Sequence, residues 1–401
     1  MAPVRLNNMY FTYFKCKDDQ FTCNNGICVS MYKRCNGLFD CPDESDEFHC
    51  NNVEINERIY RRGVPPTKHG SKVKIYVSVF LLNINRVELP TVFDCKIQLV
   101  LKWQDYRLTY KDLLSDGNTV AMDVKQKLWI PPLRFSNTKD GAILNNADAN
   151  IDIVRSGQHQ LNDQKELHEA RIYKGDENFL VFTRQYEMIY KCYYNLQNYP
   201  FDSQECSIDL NIPSHQMDLM RVLPDHFYNN GSSKLEQFLI TEVNLYALQN
   251  NSAIKFLVRM KRIPWFHVTT TYLPTLCIIV MVLVILFIDS SHFEATIMVA
   301  LTAMLVMYTL FQSIATTMPQ TAYLKLLDYW MFYGLIMPFV VFILLIIWEL
   351  DYQTDMSTVK PMTGIDNEPR IRFIWCKYFL PLLTICFVIS YLIVVLVVVI
   401  V

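Results

Sequence analysis

Between residues 1 and 263 the apolar positions come in short alternating stretches, as in VKIYVSVFLLNI (73–84) and CKIQLVLKW (95–103). A period of two predicts β-strands with one buried face. After Pro264 the pattern changes to four long apolar runs, Val268–Ile288, Thr296–Thr316, Trp330–Leu350 and Phe379–Val401. Each reaches the roughly 20 residues that cross a bilayer. Any one of them would also suit a buried core helix, but four in succession with short polar turns read as membrane spans. The second run differs from the others in carrying Thr302, Thr309, Gln312 and Ser313.

Composition adds to this picture unevenly. Of 401 residues, 51% are apolar and only 19% charged, against about 25% charged in ordinary soluble domains. The surplus belongs to the four runs. A net charge of −2 argues against a nucleic-acid partner, which calls for a basic excess or stripe. No histidine, cysteine or serine constellation has catalytic spacing, so an enzyme is not supported.

Twelve cysteines point to an oxidising compartment. With glycosylation sequons at Asn230 and Asn250, they put residues 1–263 outside the cell. Four spans then return the C-terminus to the same side, in a multi-pass plasma-membrane protein. The 351–372 loop faces the cytoplasm with Lys360, Arg370 and Arg372, although its acids leave the charge bias weak. No apolar signal core precedes Cys16, which reads as a processed or engineered form.

Six cysteines, Cys16, Cys23, Cys28, Cys35, Cys41 and Cys50, crowd a segment too small for an ordinary core. Disulfides, a metal or both must staple it. Its oxygen-rich run CNGLFDCPDESDE suits a hard cation such as calcium better than zinc. The segment resembles a low-density lipoprotein receptor class A repeat. That resemblance implies pairs Cys16–Cys28, Cys23–Cys41 and Cys35–Cys50. It also implies a structural calcium ion held by the side chains of Asn36, Asp40, Asp46 and Glu47 and the carbonyls of Lys33 and Leu38. Asn36 departs from the common aspartate. Lys33 stands where ligand-binding repeats carry an aromatic. A stapled accessory module without a partner of its own is the plainer reading.

Cys192 and Cys206 enclose YYNLQNYPFDSQE, a 13-residue loop whose proline and aspartate favour a rigid turn. A generic hairpin staple has the same look. The spacing, with Tyr199, Pro200, Phe201 and Asp202 inside it, resembles the signature loop of the Cys-loop receptors, the pentameric ligand-gated ion channels. WQDYRL (103–108), WIP (129–131), LNNAD (144–148), KRIP (261–264) and Pro274 follow the same family's order. Across about residues 53–401 the resemblance implies a ten-strand extracellular β-sandwich, a four-helix channel domain and a ring of five subunits with agonist sites between neighbours.

Steps of three and four along the second span pick out Glu294, Met298, Thr302, Leu305, Thr309, Gln312, Ser313 and Thr316. A helix packed polar-side inward within one subunit would show the same stripe. The resemblance makes it the pore lining, with Leu305 at the central leucine ring and Glu294 at the cytoplasmic mouth. Five carboxylates there favour cations. The Pro-Ala-Arg sequence of anion channels is absent, while TAYLKLLDYW after Pro319 leans toward anion channels. A Met298 ring would restrict conduction.

For coupling, the resemblance pairs Glu88 with Arg262 and sets Asp202 and the Tyr199-Pro200-Phe201 tip against the turn beginning at Pro319. The agonist region departs from the family's aromatic cage: Gln98 and Leu144 stand at two aromatic positions, and the loop containing Pro213 has no aromatic, leaving Tyr246 alone. A small molecule or protons remain open as agonist.

The expected architecture is therefore a class A module over residues 1–52, a β-sandwich over 53–263 and a four-helix channel domain over 264–401. Its partners are lipid and four further copies in a homopentamer. The alternative is a non-conducting receptor or adhesion protein that uses the class A repeat to bind a partner. Cys95, Cys277, Cys376 and Cys386 stand outside the predicted disulfides.

Overall fold

The computed structural model describes residues 5–6, 9–10, 16–17, 20–48, 50–68, 70–88, 91–139, 149–158, 160–162, 170–248, 252–288, 292–357 and 368–400. Seven long strands carry the extracellular layers. They are β1 Val73–Glu88, β2 Val92–Trp103, β3 Phe179–Lys191, β4 Ser203–Asn211, β5 Met220–Asn229, β6 Phe238–Leu248 and β7 Ala253–Arg262. One sheet orders β5-β1-β2-β3 and then the short strands Asn150–Val154 and Asn118–Thr119; the other orders Arg134–Phe135 and then β4-β7-β6. A further sheet joins four short strands, Gln160–Asn162, Ala170–Lys174, Leu108–Lys111 and Val53–Ile55.

The alternation read from sequence is the alternation of burial. Phe93, Cys95, Ile97, Leu99, Leu101 and Trp103 of β2 turn inward. They share one core with Ile208 and Leu210 of β4 and Ile254, Phe256, Val258 and Met260 of β7. A one-residue slip in any of these strands would move its whole apolar set to the wrong face.

The WQDYRL segment closes a turn at the edge of that core. Asp105 is fully buried and accepts from Arg107 Nε at 2.9 Å and Nη2 at 2.7 Å. The guanidinium lies 4.4 Å from the Tyr60 ring, and the Tyr60 hydroxyl accepts the Trp129 amide at 2.7 Å. Burial pushes the Tyr60 hydroxyl up to about 12. Gly175 backs this turn, its amide donating to the Leu108 carbonyl at 3.0 Å. A Cβ there would collide with the Asp105 carbonyl, so only glycine fits.

Among the described residues four helices are long and apolar enough to cross a membrane: α1 Trp265–Ile285, α2 Phe293–Thr317, α3 Leu326–Ser357 and α4 Glu368–Ile400, the last two over Leu326–Leu350 and Lys377–Ile400. α1 begins ahead of the predicted Val268, because Pro264 caps it and exposed Trp265 and Phe266 form its first turn. Aromatic rings suit the bilayer boundary. α3 runs past Leu350 to Ser357, since the polar residues there are compatible with helix once clear of lipid. Small residues Ala300 and Ala303 of α2 pack with Val282 and Ile285 of α1 and Val341 and Leu345 of α3.

The N-terminal module has a hairpin, Gln20–Thr22 with Cys28–Ser30, and, among the described residues, a buried apolar cluster of Phe21, Cys23, Met31 and Cys41. Disulfides Cys16–Cys28, Cys23–Cys41 and Cys35–Cys50 cross it. Each loop of this size offers roughly 3 kcal/mol by restricting the unfolded chain, which offsets the thin core. The module is also fastened to the sandwich. Arg34 lies 4.3 Å from the Phe21 ring and reaches Asp112 at 3.5 Å. The Tyr32 and Ser115 hydroxyls lie 3.1 Å apart, and Arg171 donates to the carbonyls of Lys17 and Gln20.

Candidate functional site

The disulfide Cys192–Cys206 closes a loop between β3 and β4, and that loop sits where the sandwich meets the helices. β7 ends at Arg262 two residues before Pro264 and α1, so a side chain at 262 lies where the sandwich joins the first membrane-length helix. Arg262 is almost fully buried and donates from Nε to Asp202 Oδ1 at 2.7 Å and from Nη2 to Oδ2 at 3.2 Å. Gln204 also donates to Asp202 Oδ2. The guanidinium is held between the rings of Phe238, 4.4 Å away, and Tyr199, 4.8 Å away.

The predicted partner of Arg262 was Glu88. Asp202 reaches Arg262 because β4 and β7 are adjacent and put residue 202 directly beside residue 262, with Arg262 N–H also bonded to the Asp202 carbonyl. The side chain of Glu88 lies outside the described residues. Asp202 therefore turns inward, while the rest of the loop makes the contact with the helices.

That contact is broad. The Leu326 amide donates to the Gln197 carbonyl at 2.8 Å, and the Leu327 amide to the Tyr199 carbonyl at 3.2 Å. The Leu196 amide donates to the Tyr323 hydroxyl at 3.0 Å. Leu196, Tyr199, Leu327, Trp330 and Met331 form one apolar cluster, with Phe201 and Met318 packed against it. The Tyr199 hydroxyl lies 2.7 Å from His267 Nε2 at the start of α1, and burial raises the tyrosine's pKa. Pro200 follows Tyr199 at the tip, and Pro319 opens the α2–α3 turn against which this loop packs. Sequence reading missed His267, Tyr323, Gln204 and Phe238, because nothing local connects residues that meet only through the fold.

On α2 the side packed within the chain is Thr296, Ala300, Ala303 and Met307. The opposite side carries Glu294, Met298, Thr302, Leu305, Thr309, Gln312, Ser313 and Thr316, all exposed on a single chain. Leu305 is 62% exposed and Met298 60%. The Thr302, Thr309 and Thr316 hydroxyls donate back to helix carbonyls at 2.8–3.0 Å. Their protons are thus occupied, and oxygen lone pairs face outward.

The agonist-region residues stay apart within one chain. Gln98 lies on β2 in the six-stranded sheet, and exposed Tyr246 on β6 in the four-stranded one, while Pro213 precedes the turn Ser214–Gln216. Leu144 lies outside the described residues. Asn230 is exposed, and Asn250 lies outside the described residues.

In the N-terminal module, the acids of the 36–47 loop have different hydrogen-bond partners. Asp46 is fully buried, accepts the Asp40 amide on Oδ2 at 2.6 Å, and has no hydrogen-bond partner on Oδ1 among the described residues. Glu47 Oε1 accepts the Asn36 and Gly37 amides. Asp40 takes Lys33 Nζ at 2.7 Å and Asn36 Nδ2 at 2.9 Å on its two oxygens, and these donors hold its carboxyl below the usual carboxylate range. Asp43 also lies near Cys23 and Cys41, but those sulfurs are bonded to each other and are not thiolate ligands.

The bridged loop thus packs on the membrane-length helices at the end of the β-sandwich. Comparison with known proteins agrees. Residues 53–263 match the family described as neurotransmitter-gated ion-channel ligand binding domain, and residues 14–50 match low-density lipoprotein receptor domain class A. The chain belongs to the neurotransmitter-gated ion-channel family, the Cys-loop receptors, and carries a class A repeat at its N-terminal end. It is 22% identical over 310 residues to the gamma-aminobutyric acid receptor subunit beta of Lymnaea stagnalis, covering 72% of this chain and 58% of that protein. Over 291 residues it is 23% identical to the gamma-aminobutyric acid receptor subunit rho-3 of Homo sapiens, covering 69% and 57%. The chain spans about three fifths of the length of the curated relatives it matches. These relatives are named as receptor subunits, and none as an enzyme.

Proposed function

We propose that this chain is one subunit of a homopentameric, cation-selective ligand-gated ion channel. The observation that carries the reading is the uncovered stripe of α2, which five copies would bring around one axis. Glu294 then gives a ring of carboxylates, and the outward lone pairs of Thr302, Thr309 and Thr316 add acceptors along the path. Both features favour cations over anions. Leu305 would form the ring that dewets when narrow. Movement of the extracellular layer would reach α1 and the α2–α3 turn through Asp202–Arg262 and Tyr199.

Gln98, Pro213 and Tyr246 do not make an aromatic cage, so the agonist is a proton or a small molecule held by contacts other than such a cage. The names of the relatives put gamma-aminobutyric acid first among ligands to try. The test is whole-cell recording across small ligands and pH steps, with ion substitution. Cation selectivity predicts a reversal potential that follows sodium and shifts toward chloride in Glu294→Lys. A wild-type reversal potential that follows chloride and ignores sodium overturns it.

The second reading, a non-conducting receptor, draws on the exposed Met298 and on Leu38 and Phe39, which are 67% and 69% exposed on the class A repeat. Electrical silence together with a soluble partner captured through the repeat would select it.

The repeat's acidic loop fits a calcium ion, because buried Asp46 leaves one carboxylate oxygen without a partner. Asn36, Asp40, Asp46 and Glu47, with the carbonyls of Lys33 and Leu38, would hold it. When bound, the ion supplies a multidentate cross-link to a loop with little core of its own.

A further inference from the structure

Residues 33 and 34 end one short turn, Met31–Lys33, and send their side chains to different tasks. Arg34 faces the sandwich, where it meets Phe21 and Asp112. Lys33 faces the acidic loop, where its ammonium lies 2.7 Å from Asp40 Oδ1. Asn36 takes the other oxygen of the same carboxylate. Two acids of one loop are thus treated unequally: Asp40 has donors of its own chain on both carboxylate oxygens, whereas Asp46 has one on Oδ2 and none on Oδ1 among the described residues.

A lysine ammonium on one oxygen of a carboxylate opposes a divalent cation on the same group, since like charges a few ångströms apart repel even where water screens them. We propose that Lys33 is a resident counter-cation of this repeat: its ammonium and calcium compete for Asp40, and this competition sets the repeat's calcium affinity. The inference rests on the calcium reading above, and goes beyond it in naming the residue that opposes the ion. Arg34 keeps the turn anchored to the sandwich whichever cation is on Asp40, so the exchange is confined to the loop.

The decisive experiment is equilibrium binding of radioactive calcium to the full chain in detergent, comparing wild type, Lys33→Ala, Lys33→Met and Asp46→Asn at two ionic strengths. The Lys33 side chain is 54% exposed, so its loss should leave folding intact, and its contact has the modest strength of a surface pair. Both Lys33 variants should bind calcium about two- to five-fold more tightly than wild type, with the gap narrowing at high salt. Binding seen in the Lys33 variants alone would support the competition in its strongest form. Equal affinities in wild type and Lys33 variants, with binding lost in Asp46→Asn, would overturn the role of Lys33 and leave the calcium site standing. Absence of saturable binding in wild type and both Lys33 variants would remove the site and the competition together.

Discussion

Asp105–Arg107 and Asp202–Arg262 are the same chemical pair placed in two regions with different duties. Both carboxylates are buried, both guanidinium groups are forked onto them, and both cations lie over a tyrosine ring, Tyr60 in one case and Tyr199 in the other. The first pair joins residues two apart and closes a turn inside the sandwich. The second joins residues 60 apart and ties the bridged loop to the strand that leads into the first membrane-length helix. A buried ion pair is poor evidence of net stability, because desolvation offsets most of its attraction. Its position in the fold decides whether breaking it costs folding alone or also communication between layers.

The largest expected effect comes from removing one arginine. Arg262→Ala and Arg107→Ala each leave a buried carboxylate unpaired, which costs about 3–5 kcal/mol, visible as lower thermal stability and surface expression. The comparison predicts that they diverge in function. Arg107→Ala channels that reach the surface should gate with near-normal agonist sensitivity, whereas Arg262→Ala channels should bind agonist without opening. Surface-normalised currents alongside agonist binding check this, and a gating loss in Arg107→Ala at normal surface density would break the contrast.

A smaller effect concerns alkaline pH at the first pair. The Tyr60 hydroxyl titrates near 12 in the folded chain and near 10 when exposed. The native state holds the proton more firmly, so this stabilisation is complete below pH 10 and is lost as pH rises toward 12. It amounts to roughly 2–3 kcal/mol. Thermal melts of wild type and Tyr60→Phe across that window should show a steeper decline in wild type.

The smallest effect sharpens the second pair. Tyr199→Phe removes the hydroxyl facing His267 but keeps the ring beneath Arg262, so about 1 kcal/mol of hydrogen bonding is at stake. Agonist concentration–response curves should shift several-fold, with stability nearly unchanged. An unaltered curve would take the Tyr199–His267 contact out of the coupling path.

Much of this molecule is written in short-range order. The alternation from Phe93 to Trp103, with Val100 its one apolar outward residue, is enough to predict a strand with a buried face, and the three- and four-residue steps from Glu294 to Thr316 separate the uncovered side of α2 from Thr296, Ala300, Ala303 and Met307. The acids and cysteines of residues 16–50 likewise announce a stapled module. By contrast, the partnership of Asp202 with Arg262 is not legible in either segment alone, because it depends on β4 lying beside β7.

By itself the sequence determined the strands, the four membrane-length helices, the polar stripe and the family, because each depends on periodicity or spacing within a few turns of chain. Only the tertiary structure decided that Asp202 holds Arg262, that Tyr199 meets His267 and that Arg34 fastens the repeat to Asp112. Those contacts depend on which strands lie side by side and which loops share an end of the sandwich. That arrangement follows from burying all the apolar faces at once, which no single stretch of residues specifies.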